Sequence, residues 1–290
     1  MQQMGKLYVV ATPIGNLTDI SQRAQDILSQ VTWIAAEDTR HSVGLLQHLG
    51  ISTHLVSYHE HNERDRADEL IAKITAGEDG ALISDAGTPL ISDPGYHIVQ
   101  KAHEAGITVI PIPGACAAIA ALSASGLPSA KFLFEGFLPA KSGRRNRIAA
   151  LKDFPSTIIY YEAPHRVLEL LEECTEILGG ERKACIAKEI TKKFETIYAS
   201  SLQNILERVQ AGVIPLKGEF VLMVAPDEGK TETVEEIAEQ MRILQILLAE
   251  LPVKQAVKLA VQLTGHPKNA LYELALKIQG KAAPEDDAQN

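Results

Sequence analysis

Three stretches of the chain combine small, rigid and acidic residues in patterns that suit a ligand cleft. The densest is Ser84-Asp-Ala-Gly-Thr-Pro-Leu-Ile-Ser-Asp-Pro-Gly95, with two aspartates, two prolines and two glycines in twelve residues. Small residues let the backbone approach a ligand closely, and prolines hold such a loop in one shape before the ligand arrives. In Ala11-Thr-Pro-Ile-Gly-Asn-Leu-Thr-Asp-Ile20, Pro13 fixes φ and Gly15 permits a reversal. Ile110-Pro-Ile-Pro-Gly-Ala-Cys-Ala117 enters a helix through Pro-Gly, so its backbone amides could receive a carboxylate or another anion at the positive helix end. Any one of these reads as ordinary turn chemistry; all three at one sheet edge read as a cofactor cleft. None is a dinucleotide fingerprint. GxGxxG is absent and Pro13 lacks a donor, so Glu37 at the end of a second strand does not make an NAD site.

Other chemistry-bearing groups are more scattered. Carboxylates stand at expected strand ends: Glu37, Asp38, Asp85, Asp93, Glu162 and Glu189. His59-Glu60-His61 puts two imidazoles two residues apart, but no third ligand has suggestive spacing, so no metal is expected. Cys116, Cys174 and Cys185 are too few and too irregular for a disulfide framework or a zinc site and read as packing residues, which fits a reducing, cytoplasmic setting. Lys141-Ser-Gly-Arg-Arg-Asn-Arg147 holds four cations and no acid, and reads as a surface loop, either simply solvated or mobile and able to clamp RNA backbone. Between Lys254 and Lys281, five lysines face one acid, Glu273. The net charge of −9 weighs against a general nucleic-acid binder, yet partner choice is set by patches rather than by the average.

The elements that must position these groups are legible as periodicity. Apolar, β-branched runs at 7–11, 31–36, 54–57, 81–84 and 107–112 predict strands, with helix-period segments at 21–30, 42–49, 63–77 and 95–105 between them. Such alternation implies a mostly parallel sheet covered on both faces, with its binding site in the loops after the strands. The small-residue segment 114–126 predicts a tightly packed helix that ends a first domain, 1–126. A second α/β domain, 127–228, takes strands at 131–135, 156–161, 184–188, 195–199 and 219–225, with helices near 146–153, 164–178 and 201–210. A helical extension, 229–281, takes helices at 233–250, 253–263 and 268–279, the last two joined by Thr264-Gly-His-Pro267, a pattern that resembles a helix-turn-helix but that short helical bundles give more often. Residues 282–290 read as a disordered tail. At 290 residues and 46% hydrophobic the chain can fill two cores. No apolar run approaches a membrane span, and the first dozen residues lack the features of a secretory signal.

Eight blocks occur in order along the chain: ATPIGNLTDIS, AAEDTRHS, YHEHNE, SDAGTPLISDPG, PIPGACAA, EGFLPAKSGRR, YYEAPHR and KEITKKFET, followed by a closing KNALYELAL. Over residues 6–279 they closely resemble the ribosomal small-subunit methyltransferase I family, a branch of the tetrapyrrole (precorrin) methylases. The resemblance implies a tetrapyrrole-methylase fold, two α/β domains with S-adenosylmethionine in the cleft between them, and usually a homodimer. It also implies 2′-O-methylation of a decoding-centre cytidine in 16S ribosomal RNA of the 30S subunit. Carried over by motif, the cofactor would touch Pro13, Ala86, Gly87, Thr88, Ile91, Cys116 and Ala117, and Tyr161 where the wider family contacts it. The wider family often has Gly-Asp-Pro where this chain has Gly87-Thr88-Pro89.

A ribose 2′-hydroxyl is a poor nucleophile, so such a reaction calls for a general base or strong polarisation of the hydroxyl. Asp85 and Glu162, each closing an apolar strand, are the expected catalytic carboxylates. Arg40 or Lys188 would hold RNA phosphate or stabilise a developing alkoxide. His59 and His61 in the YHEHN block, with Lys141, Arg144 and Arg145 of the basic segment, complete the expected substrate contacts. Two rival readings stand beside this one. The same fold and cofactor could methylate carbon on a tetrapyrrole, or the chain could be a non-enzymatic ribosome-assembly factor that reads RNA shape.

Overall fold

The computed structural model describes residues 4–139, 142–227, 234–266 and 268–279. The chain forms two compact units, residues 1–227 and 228–290.

In the first unit, strands β1 (Lys6–Val10), β2 (Trp33–Ala36), β3 (His54–Ser57), β4 (Gly80–Ile83) and β5 (Thr108–Ile112) make an all-parallel sheet in the order β3-β2-β4-β1-β5. Helices α1 (Gln22–Gln30), α2 (Thr39–His48), α3 (Glu63–Thr75) and α4 (Tyr96–Glu104) connect them. The period-2 alternation of each strand sends side chains to two cores. Leu7, Trp33, Ala35 and Leu82 meet Leu70 and Ile74 of α3 and Ile98 of α4 on one face. Tyr8, Val10, Ile34 and Ile83 meet Leu28 of α1 and Leu46 of α2 on the other. Both faces are therefore buried, as continuous apolar runs in parallel strands require.

Helix α5 (Ala117–Ala124) follows the first sheet in sequence but packs on the second. Its Ala118, Ala121 and Leu122 lie against Ile159, Cys185, Val221 and Met223, an approach that alanines permit. The second sheet contains β6 (Phe132–Phe137), β7 (Thr157–Glu162), β8 (Lys183–Lys188), β9 (Thr196–Ser201) and β10 (Phe220–Val224) in the order β6-β7-β10-β8-β9. Only β6 and β7 run parallel; the other neighbours are antiparallel. Its opposite face carries α6 (Ser142–Ala150), α7 (Val167–Leu178) and α8 (Leu202–Gln210). Cys174 and Cys185 sit in these cores, where burial pushes their thiols up to about 12 and about 11.

The basic segment differs from expectation. Gly143–Arg147 belong to a helix rather than a loop, because their arginines are tied to acids on neighbouring elements. Arg144 is 1% exposed and is held by Glu173 at 2.5 Å and Glu169 at 2.7 Å, both on α7. Arg145 pairs with Glu176, and Arg147 with Glu135. Arg144 is thus a buried strut between α6 and α7, unable to reach RNA without abandoning two carboxylates. Lys141 and the tail 282–290 lie outside the described residues.

The second unit contains α9 (Val234–Glu250), α10 (Val253–Thr264) and α11 (Lys268–Ile278) around Leu244, Val257, Ala260, Leu271 and Ala275. Gly265 ends α10 in the left-handed conformation (φ 72°), a conformation glycine adopts without steric cost.

Candidate functional site

The loops after β1, β4 and β5 are tied into one structure. Thr12 N–H donates to the Gly87 carbonyl at 2.8 Å, and Gly87 N–H returns a bond to the Thr12 carbonyl at 3.1 Å. The Thr12 hydroxyl donates to the Ser84 carbonyl at 3.2 Å. Thr88 donates its hydroxyl to the Ala115 carbonyl at 3.0 Å, joining the second loop to the third. The hydroxyl at this position is therefore spent on a loop-to-loop tie. Gly87 has φ +86°, a backbone that favours glycine, and a Cβ there would crowd Ile14 Cγ2 at 3.2 Å.

Behind these loops lies a cleft of about 340 Å³ walled by both sheets of the first unit. Ala86, Gly87, Thr88 and Ile91 line it from the loop after β4, Cys116 and Ala117 from the start of α5, and Tyr161 and Glu162 from the second sheet. Pro13, expected with them, instead lines a neighbouring cavity of about 170 Å³. Tyr161 crosses between the walls: its phenol oxygen accepts the N–H of Ala118 at 2.9 Å. That bond takes one of the amides at the start of α5 that sequence reasoning had left for an anion. Burial drives the Tyr161 phenol above its ordinary pKa, so it stays neutral. Edge contacts with Phe134 and Phe137 fix its ring.

The carboxylates divide among different tasks. The Glu162 side chain is 1% exposed; its Oε1 accepts from Ala163 N–H at 2.9 Å and pairs with Arg166 at 3.2 Å. Its Oε2 is buried with no partner in a residue that lines the cleft. Asp85 lies in the smaller cavity, and its Oδ1 accepts the N–H of Asp38 at 3.1 Å. Asp93 lines the large cleft, and its carboxyl is raised to about 6. Burial is the main cause, the charges of Glu37 and Asp85 add to it, and a bond from Ser84 opposes it. Glu37 is itself raised, chiefly by burial and then by Asp85. Leu90 and Ser92, just before Asp93, have left-handed backbones (φ 72° and 67°) although neither is glycine. Such strain is held in place only by surrounding structure and concentrates at functional loops.

The expected substrate contacts are not all brought together. The Arg40 side chain is 90% exposed and pairs with Asp38 at 2.8 Å, which holds the Asp38 carboxyl down at about 2. Asp38 also caps α2 by accepting from Arg40 N–H. His59 and His61 stand edge to face at 6.0 Å, and Asn62 accepts the His59 backbone N–H at 2.9 Å. Among the described residues no three His, Cys, Asp or Glu side chains group as metal ligands do. Lys188 is buried at the end of β8 and lines neither cavity. Sequence reasoning missed Ile14, Phe137, Pro164, Ile190 and Phe220 of the cleft wall. Ile14, Phe137, Pro164 and Ile190 lie in the ATPIGNLTDIS, EGFLPAKSGRR, YYEAPHR and KEITKKFET blocks, which were the available signal; Phe220 reads as an ordinary strand apolar.

Residues 6–206 match the family described as tetrapyrrole (corrin/porphyrin) methylases, and residues 234–279 match the RsmI C-terminal HTH domain. The chain is 53% identical to ribosomal RNA small subunit methyltransferase I of Pseudomonas aeruginosa, over 96% of this chain and 99% of that one. It is 51% identical to the protein of that name from Escherichia coli O157:H7, over 95% and 96%. Among solved structures it resembles diphthine synthase (15% identity, TM-score 0.59, 77% of this chain and 90% of that one). It also resembles uroporphyrin-III C-methyltransferase from Thermus thermophilus complexed with S-adenyl homocysteine (15% identity, TM-score 0.53, 76% and 97%). At such identities these two structures speak for the fold alone.

Proposed function

The chain belongs to the ribosomal RNA small subunit methyltransferase I family, and we propose that it methylates the 2′-hydroxyl of a cytidine ribose in 16S ribosomal RNA with S-adenosylmethionine. The observation that carries this reading is the large cleft: three tied loops of small residues on one side, and on the other a buried carboxylate oxygen with no partner. A cationic methyl donor fits that chemistry. Ala86, Gly87 and Thr88 offer backbone at close range, Cys116 and Ala117 offer the start of α5, Ile91 and Tyr161 offer apolar walls, and Glu162 faces the positive charge. S-adenosylmethionine supplies an activated methyl group when bound. The chain's own residues hold the ribose beside it and receive the hydroxyl proton.

Three carboxylates compete for that proton. Asp85 already accepts a backbone N–H outside the large cleft, and Glu162 is committed to Arg166. Asp93 lines the cleft with a carboxyl at about 6, close to the operating pH that favours a general base. We therefore assign the proton to Asp93, with Glu162 as a charge partner. For RNA phosphate we retain Arg40 and Arg145, both at the surface, and Lys254, Lys258 and Lys277 of the helical extension, all exposed. His59 and His61 are retained as contacts at the cleft margin, and Lys188 and Arg144 are not. In this reading residues 1–126 and 127–228 each provide one wall, 229–281 is the RNA-binding extension, and the enzyme works as a cytoplasmic homodimer. Among the described residues no helix is long and apolar enough to cross a membrane.

The test is transfer of labelled methyl from S-adenosylmethionine to 30S subunits from a strain lacking the gene. Nuclease digestion then separates ribose label from base label. Label as 2′-O-methylcytidine at one nucleotide is expected; base label, or transfer only to a tetrapyrrole, overturns the proposal.

A further inference from the structure

The smaller cavity beside the cleft has a polar pattern of its own. Pro13, Asn16, His41, Ser42, Ser84 and Asp85 are among its lining residues. Two of its hydrogen-bonding groups are oriented by bonds that leave no ambiguity. Asn16 Oδ1 accepts from the Thr18 backbone N–H at 3.2 Å and from the Thr18 hydroxyl at 2.7 Å, so its amide NH2 points away as a donor. Asp85 Oδ1 accepts from Asp38 N–H at 3.1 Å, which leaves Oδ2 as the carboxylate's second acceptor. A further group, the Ser42 hydroxyl at the first turn of α2, is buried without a partner. The cavity shares its walls with the large cleft through alternate residues of the same loops. Pro13 and Gly15 line one and Ile14 the other; Ser84 and Asp85 line one, and Ala86 and Gly87 the other.

We propose that this cavity seats the base of the target nucleotide and selects cytosine, Asp85 accepting from the exocyclic amine and the Asn16 amide and Ser42 hydroxyl donating to the ring's acceptors. This rests on the RNA reading given above and extends it to the atoms that discriminate the base. Single-stranded RNA bases are commonly splayed out and read on their Watson–Crick edges. Cytosine presents an amine beside two acceptors on that edge, and carboxylates are its usual amine partner. Uracil presents an oxygen where cytosine has the amine, and that oxygen would face the Asp85 carboxylate. A base seated here places its own ribose toward the loop boundary at Ser84–Gly87, between the two cavities.

Asp85→Asn provides a sharp test, because its oxygen can keep the bond to Asp38 N–H while its NH2 replaces Oδ2. That swap turns the acceptor into a donor, and with the Ser42 hydroxyl, which can accept as well as donate, at ring N3 and the Asn16 amide at O2, the site then matches uracil's O4, N3–H and O2. The full chain is titrated with cytidine 5′-monophosphate and with uridine 5′-monophosphate, and affinities are read by NMR shifts. Wild type is expected to prefer the cytidine nucleotide by about tenfold or more, the scale of one good base contact. Asp85→Asn is expected to prefer the uridine nucleotide, and Asn16→Ala to weaken cytidine binding several-fold. S-adenosylmethionine affinity, measured in each variant, reports that the fold is intact. An unchanged nucleotide preference in Asp85→Asn, with cofactor affinity retained, overturns the proposal. Failure of the wild type to methylate 30S subunits would instead strike the reading of function, and a preference that inverts in Asp85→Asn would still establish the cavity as a base site.

Discussion

Replacing Asp93 with Asn should make the protein more stable and inactive at the same time. Its carboxyl is raised from 3.8 to about 6 by burial and by Glu37 and Asp85, so folding favours the protonated form. A raised carboxyl contributes stability that is fully present below its unfolded value of 3.8 and is lost as pH rises through about 6. At neutral pH the native protein therefore carries a charge it would be more stable without. The interval corresponds to ~3 kcal/mol at about 1.4 kcal/mol per pH unit, and solvent screening of a half-buried side chain reduces it to roughly 1–2 kcal/mol. Asn removes the charge and keeps an oxygen for the Ser84 bond. Urea unfolding should show Asp93→Asn more stable by that amount at pH 7.5, with an unchanged slope, and the gain should vanish near pH 4. Methyl transfer should fall by about 10²–10⁴-fold, the usual yield of a positioned base, and the wild-type rate should climb through about pH 6. A variant that is less stable at pH 7.5, or one that turns over normally, would refute the assignment.

Other perturbations separate the ligand cleft from its supports. Gly87→Arg places a side chain on a φ of +86° and into the cleft, and calorimetry should find S-adenosylmethionine binding abolished while the far-ultraviolet spectrum is retained. Arg144→Ala strips Glu173 of a buried partner and should destabilise the fold by about 3 kcal/mol in urea unfolding, the low end for a broken buried pair because Glu169 is largely exposed. Arg145→Ala should change stability by less than ~1 kcal/mol, since its pair with Glu176 lies at the surface. If Arg145 touches phosphate, the salt slope of RNA binding should flatten by about one contact, and an unchanged slope would remove it from the RNA surface.

The scaffold was legible because its signals are local. The strand at 54–57 is found as expected, and the others lie within a residue or two of their expected ends, since β-branched runs between turn clusters leave few alternatives. The three loops were legible as a site because each brings Pro and Gly together directly after an expected strand of the same parallel sheet. Arg144 was misread for the opposite reason. Four cations in seven residues look like a solvated patch, and nothing nearby in sequence shows that Glu169, Glu173 and Glu176 lie one helix away at matching spacing. Tyr161 was expected at the cofactor from the block that contains it, yet its bond to Ala118, 43 residues earlier, is a tertiary fact that no local pattern encodes. The roles of Asp85 and Asp93 separated only in three dimensions, because the same loop feeds both cavities.

The site is expensive in local terms. It holds Leu90 and Ser92 in left-handed conformations, a carboxyl whose charge is disfavoured chiefly by burial, and a buried carboxylate oxygen with no partner. What offsets these is a run of ties across the cleft. Thr12 and Gly87 join the first loop to the second, Thr88 and Ala115 join the second to the third, and Ala118 and Tyr161 join the third to the second sheet. Each tie contributes about 1 kcal/mol, but its geometric effect is larger, because each connects segments that share no secondary structure. Together they make two sheets with separate cores behave as walls of one cavity. They also explain why the small residues must be where they are. A side chain at Gly87 would crowd Ile14 in the first loop, and one at Gly114 would press on Ala11. The loops can be tied this closely only because they are bare at the crossing points, and the same bareness leaves backbone exposed to the ligand.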